Sequence, residues 1–96
     1  MSFKVQVREQ VWDFAQTLGL ENRRALKRAI VALATERGDI RALTDELSGF
    51  YRLRVGRFRV IFRYLPGRII DCVFVEERKL VYEVFESELQ RILGRD

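Results

Sequence analysis

The chain has 96 residues, of which 48% are hydrophobic, and its 18 Lys and Arg against 14 Asp and Glu give a formal net charge of +4. This length predicts one domain over residues 1–96, and the composition excludes a disordered tail. No apolar run approaches the ~20 residues that a membrane span needs, so no membrane partner is expected. Glu9 and Asp13 near the amino terminus argue against a secretory signal peptide.

Cysteine and histidine usage excludes several kinds of site. The one cysteine cannot form an internal disulfide and is typical of a cytoplasmic protein. The absence of histidine excludes nucleophile systems that depend on it and removes the usual nitrogen ligand of a catalytic zinc. An enzyme with this composition is expected to work without a tightly held transition metal.

The amino-terminal half alternates a strand with two helices. Residues 2–8 alternate apolar and polar side chains, which predicts a half-buried strand. From Glu9 the apolar residues recur at helical spacing, and this helix is expected to end near Gly19. A second helix is predicted over about residues 23–37, with Asn22 as N-cap and Gly38 at its end. The segment 39–48 is expected to be a connector that contains a single helical turn.

Residues 50–64 predict a β-hairpin. Gly56-Arg57 suits a two-residue type II′ turn, which pairs Val55 with Phe58 and Arg54 with Arg59. In this register one face is apolar and contains Tyr51, Leu53, Val55, Phe58, Val60, Phe62 and Tyr64. The opposite face, called here the arginine face, contains Arg52, Arg54, Arg59 and Arg63, with Phe50 and Ile61. A one-residue slip would bury the arginines, so the register is strongly specified.

The carboxyl-terminal third begins with a Pro66-Gly67 type II turn and a third antiparallel strand over about residues 69–77. Asp71 is expected on the arginine face, with Ile70, Cys72 and Phe74 toward the core. The tail from Arg78 fits helical spacing and, over residues 80–84, strand alternation; helix is favoured for most of it. The predicted fold is α+β, in the order β-α-α-β-β-β-(α), with an antiparallel sheet and an N-terminal helical hairpin packed on one face.

The charge pattern of the hairpin predicts an anion site. Six arginines and no carboxylate lie between Tyr51 and Ile70, and like charges opposed on a sheet repel one another. Arginine favours bidentate contacts with phosphate or carboxylate, so the partner is a nucleic-acid backbone or an acidic protein segment. The alternative is a solvated strand face whose arginines pair with Glu76, Glu77 or Glu83.

The sequence LSGFYRLRVGRFRVIF of residues 47–62, followed by Arg78-x-x-Val81-Tyr82, resembles the RelE/ParE superfamily of bacterial toxin–antitoxin toxins. The resemblance implies a RelE-like fold and the toxin role in a type II module. RelE-type members cleave mRNA at the ribosome through attack of a 2′-hydroxyl on the adjacent phosphate, and they use no metal or other cofactor.

The resemblance also implies roles for individual residues. Arg59 matches the phosphate-binding arginine of the family, Arg78 matches a second catalytic arginine, and Tyr82 matches the aromatic residue that orients the scissile nucleotide. The other expected RNA contacts are Arg52, Arg54, Arg57, Arg63 and Lys79. Because arginine is a poor general base, the base is Tyr82, Lys79 or a polarised water. Alternatively, Arg78 pairs with Glu76 or Glu77.

Two other functions are compatible with the resemblance: a ParE-like inhibitor of DNA gyrase without nuclease activity, and a degenerate toxin retained as a binding partner. The expected partners are a cognate antitoxin with an acidic toxin-binding segment, the ribosome and mRNA, and operator DNA only through the antitoxin. The expected location is the cytoplasm.

Overall fold

The computed structural model describes residues 2–77 and 81–92, which contain five strands and three α-helices. Their order is β1 (Lys4–Val7), α1 (Glu9–Gln16), α2 (Leu20–Ala32), β2 (Asp39–Ala42), β3 (Tyr51–Val55), β4 (Phe58–Leu65), β5 (Ile69–Glu77) and α3 (Val81–Ile92). Short 3₁₀ turns cover Leu33–Thr35 and Asp45–Leu47. None of the described helices is long and apolar enough to cross a membrane.

The strands form one sheet in the order β1-β5-β4-β3-β2. β1 is parallel to β5, and the other neighbouring strands are antiparallel. The α+β class and the helical hairpin are confirmed, but the sheet is mixed rather than antiparallel and has a fifth strand in the segment expected to be a connector. The four-residue alternation of β2 is too short to stand out. Periodicity also carries no information about the direction in which distant strands pair.

The hairpin between β3 and β4 has the predicted register, with Val55 opposite Phe58 and Arg54 opposite Arg59. Gly56 has φ of +58° while Arg57 keeps a negative φ, the signs that a type II′ turn requires. A residue with a side chain rarely adopts the conformation of Gly56, which is why glycine stands first in this turn.

Both ends of α2 differ from the prediction. The helix begins at Leu20 with Gly19 as N-cap, because the Gly19 carbonyl already accepts a hydrogen bond from Arg23 N at 2.9 Å. Asn22 therefore lies inside the first turn. The helix ends at Ala32 and tightens into the 3₁₀ turn, after which Glu36, and not Gly38, reverses the chain with a left-handed φ of +56°.

A β-bulge in β5 changes which side chains face the core. Ile61 pairs with Phe74 whereas Phe62 pairs with Cys72, so Val73 is an extra residue on β5. Cys72 and Ile70 face the helical hairpin as predicted. The prediction that Phe74 also does so is wrong, because the bulge interrupts the alternation and turns Phe74 to the arginine face.

Apolar side chains are buried on both faces of the sheet. On one face, α1, α2 and the 3₁₀ turn that follows α2 cover the predicted apolar face through Val11, Leu26, Ile30 and Leu33. On the arginine face, Val81 and Phe85 of α3 pack in a second core against Phe50, Ile61, Val73 and Phe74. The tail is therefore helical over residues 81–92, and this helix covers the middle of the arginine face. Residues 78–80 lie outside the described residues.

The Gln10 side chain extends the hydrogen bonding of β5 beyond the end of β1. Only residues 69–72 of β5 pair with β1. Further along, Gln10 Oε1 accepts from Val75 N and Gln10 Nε2 donates to Val75 O, both at 2.9 Å. The amide of this α1 residue therefore satisfies both main-chain groups of Val75, as a neighbouring strand would.

Candidate functional site

The arginines nearest the hairpin turn lie in rows that cross four strands of the arginine face. Asp39, Arg54, Arg59 and Glu76 are in direct register on β2, β3, β4 and β5, so a carboxylate lies at each end of the row. In the next row, Arg41 of β2 lies opposite Arg52 of β3. The name hairpin-end cluster is used for these two rows together with the turn, namely Asp39, Arg41, Arg52, Arg54, Arg57, Arg59, Glu76 and Glu77.

Asp39 contacts two arginines of this cluster. The buried Arg52 donates from Nη1 to the main-chain oxygen of Asp39 at 3.2 Å, and the same nitrogen lies 3.4 Å from Asp39 Oδ1. Arg54 Nη1 lies 3.9 Å from Asp39 Oδ2, with about half of each side chain exposed. Asp39 therefore holds Arg52 firmly and Arg54 loosely.

The two arginines at the turn contact the turn itself. Arg59 Nη1 donates to the main-chain oxygens of Gly56 at 2.8 Å and Phe58 at 3.0 Å. The exposed Arg57 lies 3.6 Å from Glu77 through Nε and 5.2 Å above the ring of Phe58. Arg59 is thus fixed at the base of the hairpin, whereas Arg57 lies on its outer surface.

Arg63 belongs to a different cluster, built around the fully buried carboxylate of Asp71. Arg63 Nε donates to Asp71 Oδ2 at 3.1 Å, and Arg8 forms a bidentate pair with Asp71 at 3.1 and 3.0 Å. Gln6 Nε2 donates to Asp71 Oδ1 at 3.2 Å. Burial would raise the pKa of the Asp71 carboxyl, but the hydrogen bonds from Arg8, Gln6 and Arg63 outweigh it and lower that pKa below its ordinary value.

The structure therefore separates the predicted site residues. Arg52, Arg54, Arg57 and Arg59 lie together at the hairpin end. Arg63 is four residues from Arg59 along β4, about 13 Å away, and the α3 core lies between the two clusters.

Tyr82 is 39% exposed in the first turn of α3. Only residues 78–80 separate Glu77, the last residue of β5, from Val81, the first residue of α3. The Cα atoms of Glu77 and Val81 are therefore within about 15 Å of one another. The predicted site residues Arg78 and Lys79 lie outside the described residues.

The hairpin segment has no carboxylate of its own, but the fold brings carboxylates from other segments to its arginines. The hairpin-end cluster contains five arginines and three carboxylates, which leaves two net positive charges. Arg41 and Asp39 were missed because they lie in the strand taken for a connector. The alternation of Asp39 and Arg41 with Ile40 was the available signal.

The chemistry available at the hairpin end is that of anion binding. Guanidinium groups from neighbouring strands offer several N–H donors on a partly exposed surface, and arginine remains charged at any physiological pH. Over the residues that the structure describes, no group of three or more Cys, Asp or Glu side chains could hold a metal ion.

Comparison with known proteins identifies the fold. No protein-family model and no curated sequence matches the chain. A chain in the crystal structure of the RelBE2 toxin–antitoxin complex from Mycobacterium tuberculosis is 21% identical with a TM-score of 0.70, covering 81% of this chain and 93% of that one. A mutant of the E. coli toxin RelE in the free state is 18% identical with a TM-score of 0.70, and the match covers 96% of this chain and 99% of that one. A chain of the archaeal RelE–RelB complex from Pyrococcus horikoshii is 24% identical with a TM-score of 0.63, and the match covers 81% of this chain and 97% of that one. The protein therefore has the RelE-like fold.

Proposed function

We propose that this protein is the toxin of a type II toxin–antitoxin module and a metal-independent endoribonuclease that cleaves mRNA on the ribosome. The observation that carries the proposal is the register of Arg54 opposite Arg59, with Arg41 and Arg52 in the adjacent row. The RelE-like fold supports the same function, since the similar solved structures are RelE-type toxins, alone or in complex with antitoxins.

The arginine pair suits a phosphate that gains negative charge during the reaction. Side chains directly opposite on antiparallel strands have Cβ atoms about 5 Å apart, so two guanidinium groups can reach different oxygens of one phosphate. The positive charge matters most in the transition state, where the phosphate carries an additional negative charge.

In the proposed reaction the 2′-oxygen of one nucleotide attacks the adjacent phosphorus and the bond to the 5′-oxygen of the next nucleotide breaks. The 2′-proton passes to a base, and the leaving 5′-oxygen receives a proton, which leaves a cyclic phosphate and a free 5′-hydroxyl. Arg59 and Arg54 neutralise the phosphate, with Arg52, Arg57 and Arg78 as further cations. Tyr82 orients the nucleotide, and the base is Tyr82, Lys79 or a polarised water.

The test is primer extension on ribosome-bound message. Arg54→Ala is the sharpest variant, because Arg54 is half exposed and its one described ion pair is long. Loss of one such contact is expected to lower the cleavage rate about 100-fold. Arg59→Lys keeps the positive charge but loses the planar guanidinium group, so its cleavage rate is expected to fall as well. Arg24→Ala, on the exposed side of α2, is the matched control and is expected to cleave normally.

Of three informative results, the first would contradict the proposed phosphate site and the other two would contradict the nuclease. Undiminished cleavage by Arg54→Ala and Arg59→Lys would remove the phosphate site from the mechanism. Absence of codon-phased cuts together with DNA breaks in a gyrase supercoiling assay would instead favour the ParE-like alternative. A protein that arrests growth in neither way would be a degenerate toxin.

The proposed partner is a small acidic antitoxin that covers both basic and apolar surface. Trp12 and Val31 are each more than 60% exposed on the helical hairpin, in a groove that is also lined by Arg23 and Lys27. An amphipathic helix with acidic flanks would bury the apolar side chains and pair with the basic ones. Co-expression with the product of the neighbouring reading frame is expected to restore growth. The location in the cytoplasm, and operator DNA contacted only through the antitoxin, belong to the same proposal.

A further inference from the structure

The Asp39 carboxylate lies beside arginines of the surface at which a phosphate is proposed to bind. It lies at the end of the row formed with Arg54, Arg59 and Glu76, and it is within ion-pair distance of two arginines from β3. It comes from β2, outside the arginine-rich hairpin. The fold therefore supplies an anion to its own cationic surface.

The contact with Arg52 is part of the fold. Arg52 is 8% exposed, and it donates to the main-chain oxygen of Asp39 as well as lying beside the carboxylate. The main-chain contact does not depend on the side chain at position 39. Removal of the carboxylate is thus expected to leave Arg52 in place.

The contact with Arg54 is replaceable. At 3.9 Å it is longer than a hydrogen bond, and both side chains are about half exposed. A carboxylate at this position meets the guanidinium from the β2 side only, whereas a phosphate placed over the row between Arg54 and Arg59 would meet two guanidinium groups. Such a phosphate would therefore displace Asp39 from Arg54.

We propose that Asp39 is an internal competitor, which occupies Arg54 in the free protein and gives way to a phosphate group of single-stranded RNA. The inference deepens the proposed function, because the phosphate is the one that this same site would bind. Asp39 then sets the affinity of the hairpin-end cluster: weakly charged ligands do not displace it, and a polyanion does.

The test is the affinity for a short fluorescent 2′-O-methyl RNA, which lacks the attacking hydroxyl and so reports binding without cleavage. Asp39→Asn is expected to bind about fivefold more tightly, the factor that corresponds to one opposite charge 4 Å away in water. The slope of log affinity against log salt concentration is expected to steepen by about 0.7, as for one additional phosphate contact on a single strand.

Asp45→Asn is the matched control. It removes the same charge from an exposed site on the 3₁₀ turn before β3, where φ is +56° and asparagine is well tolerated. Its affinity is expected to change less than twofold. In an Arg54→Gln background, the gain from Asp39→Asn is expected to disappear, because the competition acts through Arg54.

Three results would overturn the inference: an equal gain in Asp39→Asn and Asp45→Asn, a gain that persists without Arg54, or binding by Asp39→Asn that is weaker than wild type or undetectable at about 50 mM salt. None of them depends on catalysis, which is judged separately by cleavage of ribosome-bound message. A failed cleavage assay with the expected binding results would refute the nuclease and leave the competition standing.

Discussion

Replacement of Asp71 by asparagine is expected to destabilise the protein strongly. The carboxylate is fully buried and accepts four hydrogen bonds, two from Arg8 and one each from Arg63 and Gln6. An asparagine in its place would remove the negative charge that Arg8 and Arg63 share and would direct an amide N–H at one of their guanidinium groups. Breaking a buried pair in this way costs about 3–5 kcal/mol, a large part of the ~5–15 kcal/mol that stabilises a typical domain.

Urea unfolding at neutral pH measures the effect. With an m-value of about 2 kcal/mol/M, the midpoint is expected to fall by about 2 M. If Asp71→Asn does not fold, Arg63→Gln gives a milder test, because Asp71 keeps Arg8 and Gln6, and a loss of about 1.5–3 kcal/mol is expected. Arg24→Gln on the exposed side of α2 is the control, expected to change stability by less than about 0.5 kcal/mol.

The pH dependence of the unfolding midpoint distinguishes the loss of the Asp71 charge from a change in side-chain packing. The pKa of Asp71 is lower in the folded protein than its ordinary value, so its contribution is complete above pH ~4 and is lost as the pH falls through the folded pKa. The difference between wild type and Asp71→Asn is therefore expected to shrink in acid. Equal midpoints at neutral pH, or a difference that stays constant on acidification, would refute the argument.

Two further predictions concern Gly38, in the turn before β2, and the buried Cys72. Gly38→Ala is expected to destabilise by at least about 1 kcal/mol in thermal unfolding, since φ is +129° and a Cβ would lie 2.7 Å from Leu53 Cδ1. Gly49→Ala, at φ of +96° with nothing within 4 Å of the added Cβ, is the control, and an equal effect there would contradict the steric explanation. Burial raises the pKa of the Cys72 thiol to about 12, so Cys72 is expected to react with Ellman's reagent at pH ~8 only as fast as the protein unfolds, and rapid reaction of the native protein would contradict its burial.

The hairpin could be predicted in detail because two local signals agree there. Gly56 specifies the turn, and the alternation on either side specifies which side chains are buried. The bulge at Val73 could not be predicted, because its position depends on how β5 fits both β4 and the cores on its two faces. The helix favoured for the tail was correct over 81–92, where its apolar spacing continues beyond the reach of a strand.

The hairpin arginines of the candidate site were predictable, whereas Arg41 and Asp39 of β2 were not. Arg54 and Arg59 follow from the hairpin register alone. Asp39 reaches Arg54 only because a four-residue strand joins the sheet, and Asp71 meets Arg8 only because β1 pairs in parallel with β5. Such partners come from segments far apart in sequence, where periodicity specifies neither neighbour nor direction.

The amide of Gln10 has a consequence for how the protein behaves at high concentration. Strand edges with free main-chain groups act as templates on which other chains add, and this is a route to aggregation. By engaging both main-chain groups of Val75, Gln10 denies a foreign strand its hydrogen bonds at that point of β5. The Gln10 side chain would thus help to protect this part of the β5 edge against strand addition.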